Sequence, residues 1–184
     1  MNETLTEFLN LIFSFLSIVS ILLAVSILAV FFIKKSKNKL IIFLKNTINE
    51  YHILFAWTIA SLASIGSLFY SEISGFVPCT YCWYERIAMY PLVIVLGIGI
   101  LIKDNKSWLY GLPLSIIGLL ITIYHYQLQM FPNQNSPTCS TEVSCTGTWI
   151  KEFGFVTMPF MALSTFLLIS VLLLIPKIKN YGDT

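Results

Sequence analysis

Two cysteines and an arginine in the segment Cys79-Thr-Tyr-Cys82-Trp-Tyr-Glu-Arg86 have the types and spacing of a redox site. The two-residue gap lets the sulfurs of Cys79 and Cys82 close a disulfide across one turn. A helix that begins here directs its unpaired amides and positive end at the cysteines, which favours a thiolate. Arg86 follows Cys82 by one turn, on the same helix face. Such a pair at a membrane surface can pass electrons from an outside thiol to a redox molecule in the lipid.

Two other interpretations of the cysteine pair stay open. It could be half of a zinc site, but zinc would need two more ligands, and the chain has only two histidines, His52 and His125. His52 falls at the opposite end of its predicted span. The pair could also be a static disulfide that clips the loop to the helix. We favour the redox interpretation and predict no metal site.

Arg86 and His125 are the candidates for binding the electron acceptor. A charged side chain at the edge of the hydrocarbon is costly and usually functional, and this guanidinium could stabilise a thiolate or a developing anion on a quinone oxygen. The alternatives for Arg86 are contact with headgroups or pairing with Glu85. His125 could reach the depth of Arg86 and donate to a quinone, or it could be an ordinary interfacial histidine.

The second cysteine pair, Cys139 and Cys145, lies in a turn-rich loop of about residues 129–154. A disulfide between these cysteines would close a small ring. We expect this ring to be exposed and mobile, and to exchange readily with an incoming thiolate. A passive staple of the loop is the alternative.

The composition is that of a membrane protein. Of the 184 residues, 57% are hydrophobic and only 11% are charged, which is more apolar surface than a soluble domain of this length can bury. Five stretches approach the ~20 residues that a helix needs to cross ~30 Å of hydrocarbon, so we predict an all-α integral membrane protein. No basic patch with interleaved aromatics indicates nucleic-acid binding. The predicted spans are Phe8–Ile33, Ile53–Tyr70, Tyr84–Ile102, Trp108–Leu128 and Phe155–Ile175.

Lysines predict the orientation, because they cluster in three segments that five spans place on one side of the membrane. The positive-inside rule assigns that side to the cytoplasm and the N-terminus to the outside. All four cysteines then lie at the outer, oxidising face of a bacterial cytoplasmic membrane, where disulfides persist. The clustered lysines are Lys34, Lys35, Lys37, Lys39 and Lys45 after span one, Lys103 and Lys106 after span three, and Lys177 and Lys179 after span five. Only Arg86 and Lys151 fall on the other side.

The chain is expected to have two parts. Residues 1–50 would comprise the first span, which we interpret as a retained helix rather than a signal peptide, and a basic linker over residues 34–50. This linker would be either a short amphipathic segment on the inner leaflet or a solvated tether. Residues 51–184 would hold the other four spans and the cysteine loops. Small residues at four-residue spacing in span two are expected to allow close helix contact, namely Ala63, Ser67 and Ser71.

The segment Cys79-Thr-Tyr-Cys82-Trp-Tyr-Glu-Arg86-Ile-Ala-Met-Tyr-Pro91 resembles the bacterial disulfide-bond formation protein B family, including its shorter Gram-positive relatives. His125 seven residues before Pro132, the two later cysteines, and Gly154-Phe-Val-Thr-Met-Pro159 extend the resemblance to roughly residues 52–176. It implies a four-helix transmembrane bundle, to which this chain adds one N-terminal transmembrane helix. It also implies reoxidation of an exported thioredoxin-fold dithiol oxidase, with the electrons passed to a membrane quinone, ubiquinone or menaquinone.

The resemblance implies a role for each site residue. The partner's thiolate would attack Cys139 of a Cys139–Cys145 disulfide, and the freed Cys145 would open a Cys79–Cys82 bridge. Cys82 would then act as the thiolate beside the quinone, with Arg86 polarising the quinone oxygen and His125 at the same site. The second pair is more closely spaced here than in Gram-negative members.

Two competing functions use the same residues. The protein could run in reverse and export reducing equivalents, but it has no cytoplasmic cysteine pair to supply them. It could also be a non-catalytic membrane anchor or subunit whose outer loop is stapled by disulfides. The anchor hypothesis predicts an inert Cys79–Cys82 bond and a replaceable Arg86.

Overall fold

Five long helices make up most of the residues described by the computed structural model, which are 3–32, 39–134, 139 and 144–182. Each is long and apolar enough to span a membrane, which confirms the predicted all-α membrane fold. The orientation of the termini stays a prediction. The helices are α1 (Glu3–Phe32), α2 (Lys39–Leu68), α3 (Thr80–Leu101), α4 (Trp108–Met130) and α5 (Met158–Gly182).

Helix α5 is the centre of the molecule. It contacts α1, α2 and α4, while α3 packs between α2 and α4. Residues 169–175 of α5 are buried at every position except Leu174, which is partly buried. A helix that is apolar and buried on all sides belongs in a core, so α2 to α5 form the predicted four-helix bundle and α1 is the additional helix beside it.

Small residues let α4 approach α5 closely. A Cβ atom at Gly118 would overlap the ring of Phe166, and Ser170 donates a hydrogen bond of 3.1 Å to Ser115 across the same interface. Close backbone approach and hydrogen bonds between buried serines are what hold helices together where lipid removes the hydrophobic driving force.

The region predicted as a linker differs from expectation where it is described. Helix α2 already begins at Lys39 and runs without a break to Leu68, so residues 39–50 extend the second span rather than forming a separate tether. The preceding residues 34–38 lie outside the described residues, as do the side chains of Lys177 and Lys179. The predicted division at residue 50 therefore falls inside a continuous helix.

The end of the bundle that carries the cysteines is built from short connections. A π-helical segment, Phe69–Ile73, ends the second span, and an extended stretch leads to Cys79 at the start of α3. In the loop before α5, Trp149 stacks on Phe76 at 5.1 Å between ring centroids, and Phe76 stacks on Tyr70 at 5.7 Å. These rings fasten the loop to the helix ends.

Candidate functional site

The first cysteine pair lies where the sequence placed it, at the N-terminus of α3. Cys79 is the N-cap residue with extended backbone, and its sulfur accepts a hydrogen bond of 3.4 Å from the amide of Cys82. The two sulfurs are free thiols 2.9 Å apart, and Cys79 is only 5% exposed. The helix start therefore holds both sulfurs together and supplies an amide to one of them.

His125 contacts the cysteine pair directly. From α4 its Nε2 atom lies 3.5 Å from the sulfur of Cys79, and its Nδ1 atom lies 2.7 Å from a carboxylate oxygen of Glu85. The imidazole is almost fully buried, so the carboxylate and the thiol determine its orientation. The contact of His125 with the Cys79 sulfur was not predicted from the sequence, and a role for His125 in binding the acceptor stays a prediction.

The pKa of the Cys79 thiol is lowered well below its usual range. The main cause is the hydrogen bond with the Cys82 thiol; burial opposes it, and the hydrogen bond with His125 reinforces it. A thiolate stabilised in this way is ready for exchange or electron transfer.

Glu85 is a site residue that sequence reasoning missed. It was considered only as a partner for Arg86, whereas its carboxylate pairs with His125, 40 positions along the chain. No local spacing could have revealed this contact. The one available signal was a carboxylate placed one turn inside an otherwise apolar span, which is costly unless it has a partner.

Arg86 is held by helix α2. Its Nε donates to the hydroxyl of Ser67 at 3.0 Å and its Nη2 donates to the carbonyl of the same serine at 3.1 Å. The guanidinium also lies over the ring of Trp83, 5.2 Å from its centroid. Ser67, expected only to let helices approach, thus positions the arginine, and Glu85 is not its hydrogen-bonding partner.

A cavity of about 320 Å³ opens beside Cys82 and Arg86. Cys82, Glu85 and Arg86 of α3 supply polar groups to it, and most of the other lining side chains are apolar. A largely apolar hollow with a few convergent polar groups is typical of a small-molecule site.

The second pair is closed as a disulfide between Cys139 and Cys145, with Cα atoms 5.9 Å apart. Cys145 is 1% exposed and packs with Cys79 and Leu128, and Cys82 and Cys139 adjoin this cluster. The expectation of an exposed ring is therefore wrong for Cys145. The loop is docked on α4, where Gln129 donates a hydrogen bond of 2.9 Å to the carbonyl of Gly147, and the docking buries this sulfur.

The site also contains three potential metal ligands. The thiols of Cys79 and Cys82 and a ring nitrogen of His125 all lie within 4.8 Å of one another. Zinc accepts a donor set of two cysteine sulfurs and an imidazole. The Glu85 carboxylate, which contacts the other ring nitrogen of His125, would orient the histidine. The sequence predicted His125 at the depth of Arg86 but not in contact with the cysteines, so the structure adds one of the two further ligands that zinc would need. His52 contacts the carbonyl of Asn49 instead and is not in the group.

Comparison with known proteins identifies the family of this chain. The model of the family described as "Disulfide bond formation protein DsbB" matches residues 50–175. "Probable disulfide formation protein C 2" of Bacillus anthracis is 46% identical over 133 residues, 72% of this chain and 95% of that protein. "Disulfide bond formation protein C" of Bacillus subtilis strain 168 is 45% identical over 123 residues, 66% of this chain and 89% of that protein. No solved structure matches. The chain therefore belongs to the DsbB family, multi-pass membrane oxidoreductases of disulfide bond formation.

Proposed function

We propose that this protein takes electrons from an exported thioredoxin-fold dithiol oxidase and passes them to a membrane quinone, ubiquinone or menaquinone. One observation carries the proposal. Cys79 packs against Cys145 of the outer disulfide, while its neighbour Cys82 lines the apolar cavity beside Arg86. The two cysteine pairs thus connect an outer loop to a small-molecule site.

The first half of the reaction is thiol–disulfide exchange in the outer loop. A partner thiolate attacks Cys139, the Cys139–Cys145 bond breaks, and Cys145 leaves as a thiolate. The partner's second thiolate attacks the mixed disulfide, so the partner departs oxidised and Cys139 is left reduced. Two electrons have then entered the protein.

The second half moves these electrons inward. The Cys145 thiolate attacks Cys79 and releases Cys82 as a thiolate; Cys139 then attacks Cys145, which restores the outer disulfide and leaves Cys79 reduced. The structure has the outer pair bonded and the inner pair as thiols, which is the state that follows this step.

The cavity and Arg86 suit a quinone. When bound, a quinone would accept two electrons and two protons and leave as the quinol, while Cys79 and Cys82 form a disulfide. Ser67 occupies two of the five N–H groups of Arg86, and within the described residues the other three stay available to a ligand oxygen. The apolar walls favour an uncharged ring.

His125 and Glu85 supply a route for a proton. His125 contacts the sulfur of Cys79 and donates to or accepts from Glu85, whose side chain lines the cavity. A proton that leaves the Cys79 thiol can therefore pass from Nε2 to Nδ1 of the imidazole by exchange and then to the carboxylate. This role is one of general acid and base through a positioned histidine.

The proposal is tested by trapping the thiols in cells with acid and alkylation, with and without quinone synthesis, and reading each cysteine by peptide mass. We expect Cys79 and Cys82 to accumulate as thiols when quinone is depleted. If they remain oxidised, the protein does not drain electrons into quinone, and the anchor hypothesis replaces ours.

A second arm uses purified protein, reduced partner and ubiquinone-1, with and without EDTA. Quinone reduction should survive chelation. If chelation abolishes activity and zinc restores it, then Cys79, Cys82 and His125 form a metal centre rather than a redox pair.

A further inference from the structure

Helix α1 lies outside the part of the chain that matches the family, which begins at residue 50. The Bacillus anthracis relative matches over 95% of its own length, so too few residues remain in it for another span. Helix α1 therefore has no counterpart in that relative.

One face of α1 forms a wall of the cavity beside Cys82 and Arg86. Four residues of α1 line the cavity, and their spacing places them on one face of the helix: Phe13, Leu16, Ser17 and Ser20. The remaining walls come from α2, α3, α5, the connection between α2 and α3, and the loop that carries Trp149. Removal of α1 would open the hollow sideways to lipid.

The contact of α1 with the bundle is specific. Ser14, Ser17 and Ala24 are buried on the inner face, and the ring of Phe13 meets that of Tyr70 edge-on at 5.8 Å. Phe15, Leu22 and Val25 on the opposite face are exposed, as lipid-facing residues are. Small residues on the inner face permit close approach and fix which side of α1 faces the cavity.

We propose that α1 is part of the quinone site, where it supplies a wall that determines which quinones fit and how tightly they bind. This inference rests on the proposed function. Ser17 and Ser20 donate their hydroxyl hydrogens to the carbonyls of Ser14 and Leu16, at 2.7 and 2.8 Å, so neither hydroxyl is free to donate to a quinone oxygen. Donors must come from the other walls, where Arg86 lies together with the hydroxyls of Tyr70 and Tyr90, which are unpaired within the described residues. The contribution of the two serines is their small size, which leaves room for the ring.

The first test reduces the space that the two serines leave in the cavity. In full-length protein in lipid nanodiscs, Ser20→Leu and Ser17→Leu should raise the KM for ubiquinone-1 by about tenfold, because a larger side chain occupies space used by the ligand. Ser26→Leu is the matched control, since Ser26 lies exposed on the same helix and bonds to Leu22 in the same way. The rate of partner oxidation in one turnover without quinone should be equal in all variants.

The outcomes separate the two proposals. If the unmodified protein reduces neither ubiquinone-1 nor a short-chain menaquinone, the proposed function fails. If it reduces one of them, but Ser20→Leu and Ser17→Leu match Ser26→Leu in KM for that quinone, α1 is not part of the site.

A second measurement does not depend on folding of a variant. An azido derivative of ubiquinone, photolysed with the unmodified protein, should label the peptide that contains residues 13–20, and excess ubiquinone-1 should suppress this labelling. Labels confined to α2, α3 and α5 in protein that reduces ubiquinone-1 would overturn the inference.

Discussion

At the scale of single residues, His125 is where structure changed the interpretation most. It bridges the Cys79 sulfur and the Glu85 carboxylate, two contacts that the sequence did not predict. We therefore infer that His125 acts on the thiol, and the effect of its loss should be visible in the titration of that thiol.

We expect His125→Ala to raise the pKa of Cys79, measured by thiolate ultraviolet absorbance in a background with Cys139 and Cys145 replaced by serine. The unmodified site has a lowered pKa, so its thiolate persists above that value and is lost only as the pH falls through it. Without His125 the thiolate should disappear about one pH unit higher.

His52→Ala is the matched control, because His52 is a buried histidine whose ring bonds to a backbone carbonyl away from the cysteines. An unchanged titration in His125→Ala would show that the histidine does not stabilise the thiolate.

Arg86 makes a second prediction at this scale. Arg86→Ala should raise the KM for ubiquinone-1 roughly ten- to a hundredfold, since a hydrogen bond from a charged donor is worth about 1.5–3 kcal/mol. The KM of Arg86→Lys should lie between those of the unmodified protein and Arg86→Ala. Lysine keeps the positive charge, but its ammonium cannot reproduce the planar guanidinium that Ser67 holds.

The folded state of Arg86→Ala is checked by its melting temperature and by a count of all four cysteines after reduction. Lys151→Ala, at another cation on the same face of the protein, should leave the KM unchanged. An unchanged KM in Arg86→Ala would show that the arginine is not part of the quinone site.

At the scale of elements, docking of the loop before α5 positions the disulfide that the loop carries. The stack of Trp149 on Phe76 and of Phe76 on Tyr70 joins the loop to the ends of α2 and α3, and Gln129 bonds to Gly147 near Cys145. Docking places the outer disulfide against Cys79, so loosening the loop should slow exchange between the pairs.

We therefore expect Trp149→Ala to slow electron transfer from the outer to the inner cysteine pair by roughly two- to tenfold, which corresponds to the ~0.5–1.5 kcal/mol of an aromatic pair. The measurement is a single turnover without quinone, trapped by alkylation, because Trp149 also lines the cavity.

Phe153→Ala is the control for this loop. Phe153 is exposed to a similar degree, 58% against 53% for Trp149, and makes no ring contact within the described residues. Equal rates in the two variants would mean that the aromatic stack does not position the disulfide.

At the scale of the whole molecule, the two ends of the bundle carry different kinds of residues. The cysteine cluster, Arg86 and the docked loop share one end, while Lys103 and Lys106 lie in the short turn between α3 and α4 at the other. We infer that the turn is cytoplasmic and the cysteine end lies outside.

Two matched substitutions in a cysteine-free background test this orientation. An impermeant maleimide added to intact cells should label Asn133→Cys, in the loop beside the cysteines, and should label Asn105→Cys, in the lysine turn, only after the membrane is opened. Both asparagines are exposed. The reverse pattern of labelling would show that the protein has the opposite orientation in the membrane.

The sequence alone determined the number of long helices in the described part of the chain, the approximate extent of each except α2, whose start at Lys39 it missed, and the location of the Cys79–Cys82 pair at a helix start. These features depend on local properties: apolar length, backbone hydrogen bonding in lipid, and residue spacing within one turn. The resemblance in residues 52–176 was equally readable, and the family match confirmed it. Local patterns also predicted that Arg86 shares a face with Cys82, as the cavity lining now shows.

Only the tertiary structure decided which side chains meet across helices. The Glu85–His125 contact joins residues 40 apart in sequence, Arg86 reaches back 19 residues to Ser67, and Cys145 is buried because its loop folds onto α4 and Cys79. Likewise, nothing in the apolar pattern of α1 indicated that one of its faces completes a cavity. Such contacts are set by how helices rotate and pack against one another, and that is a property of the assembled bundle rather than of any segment read by itself.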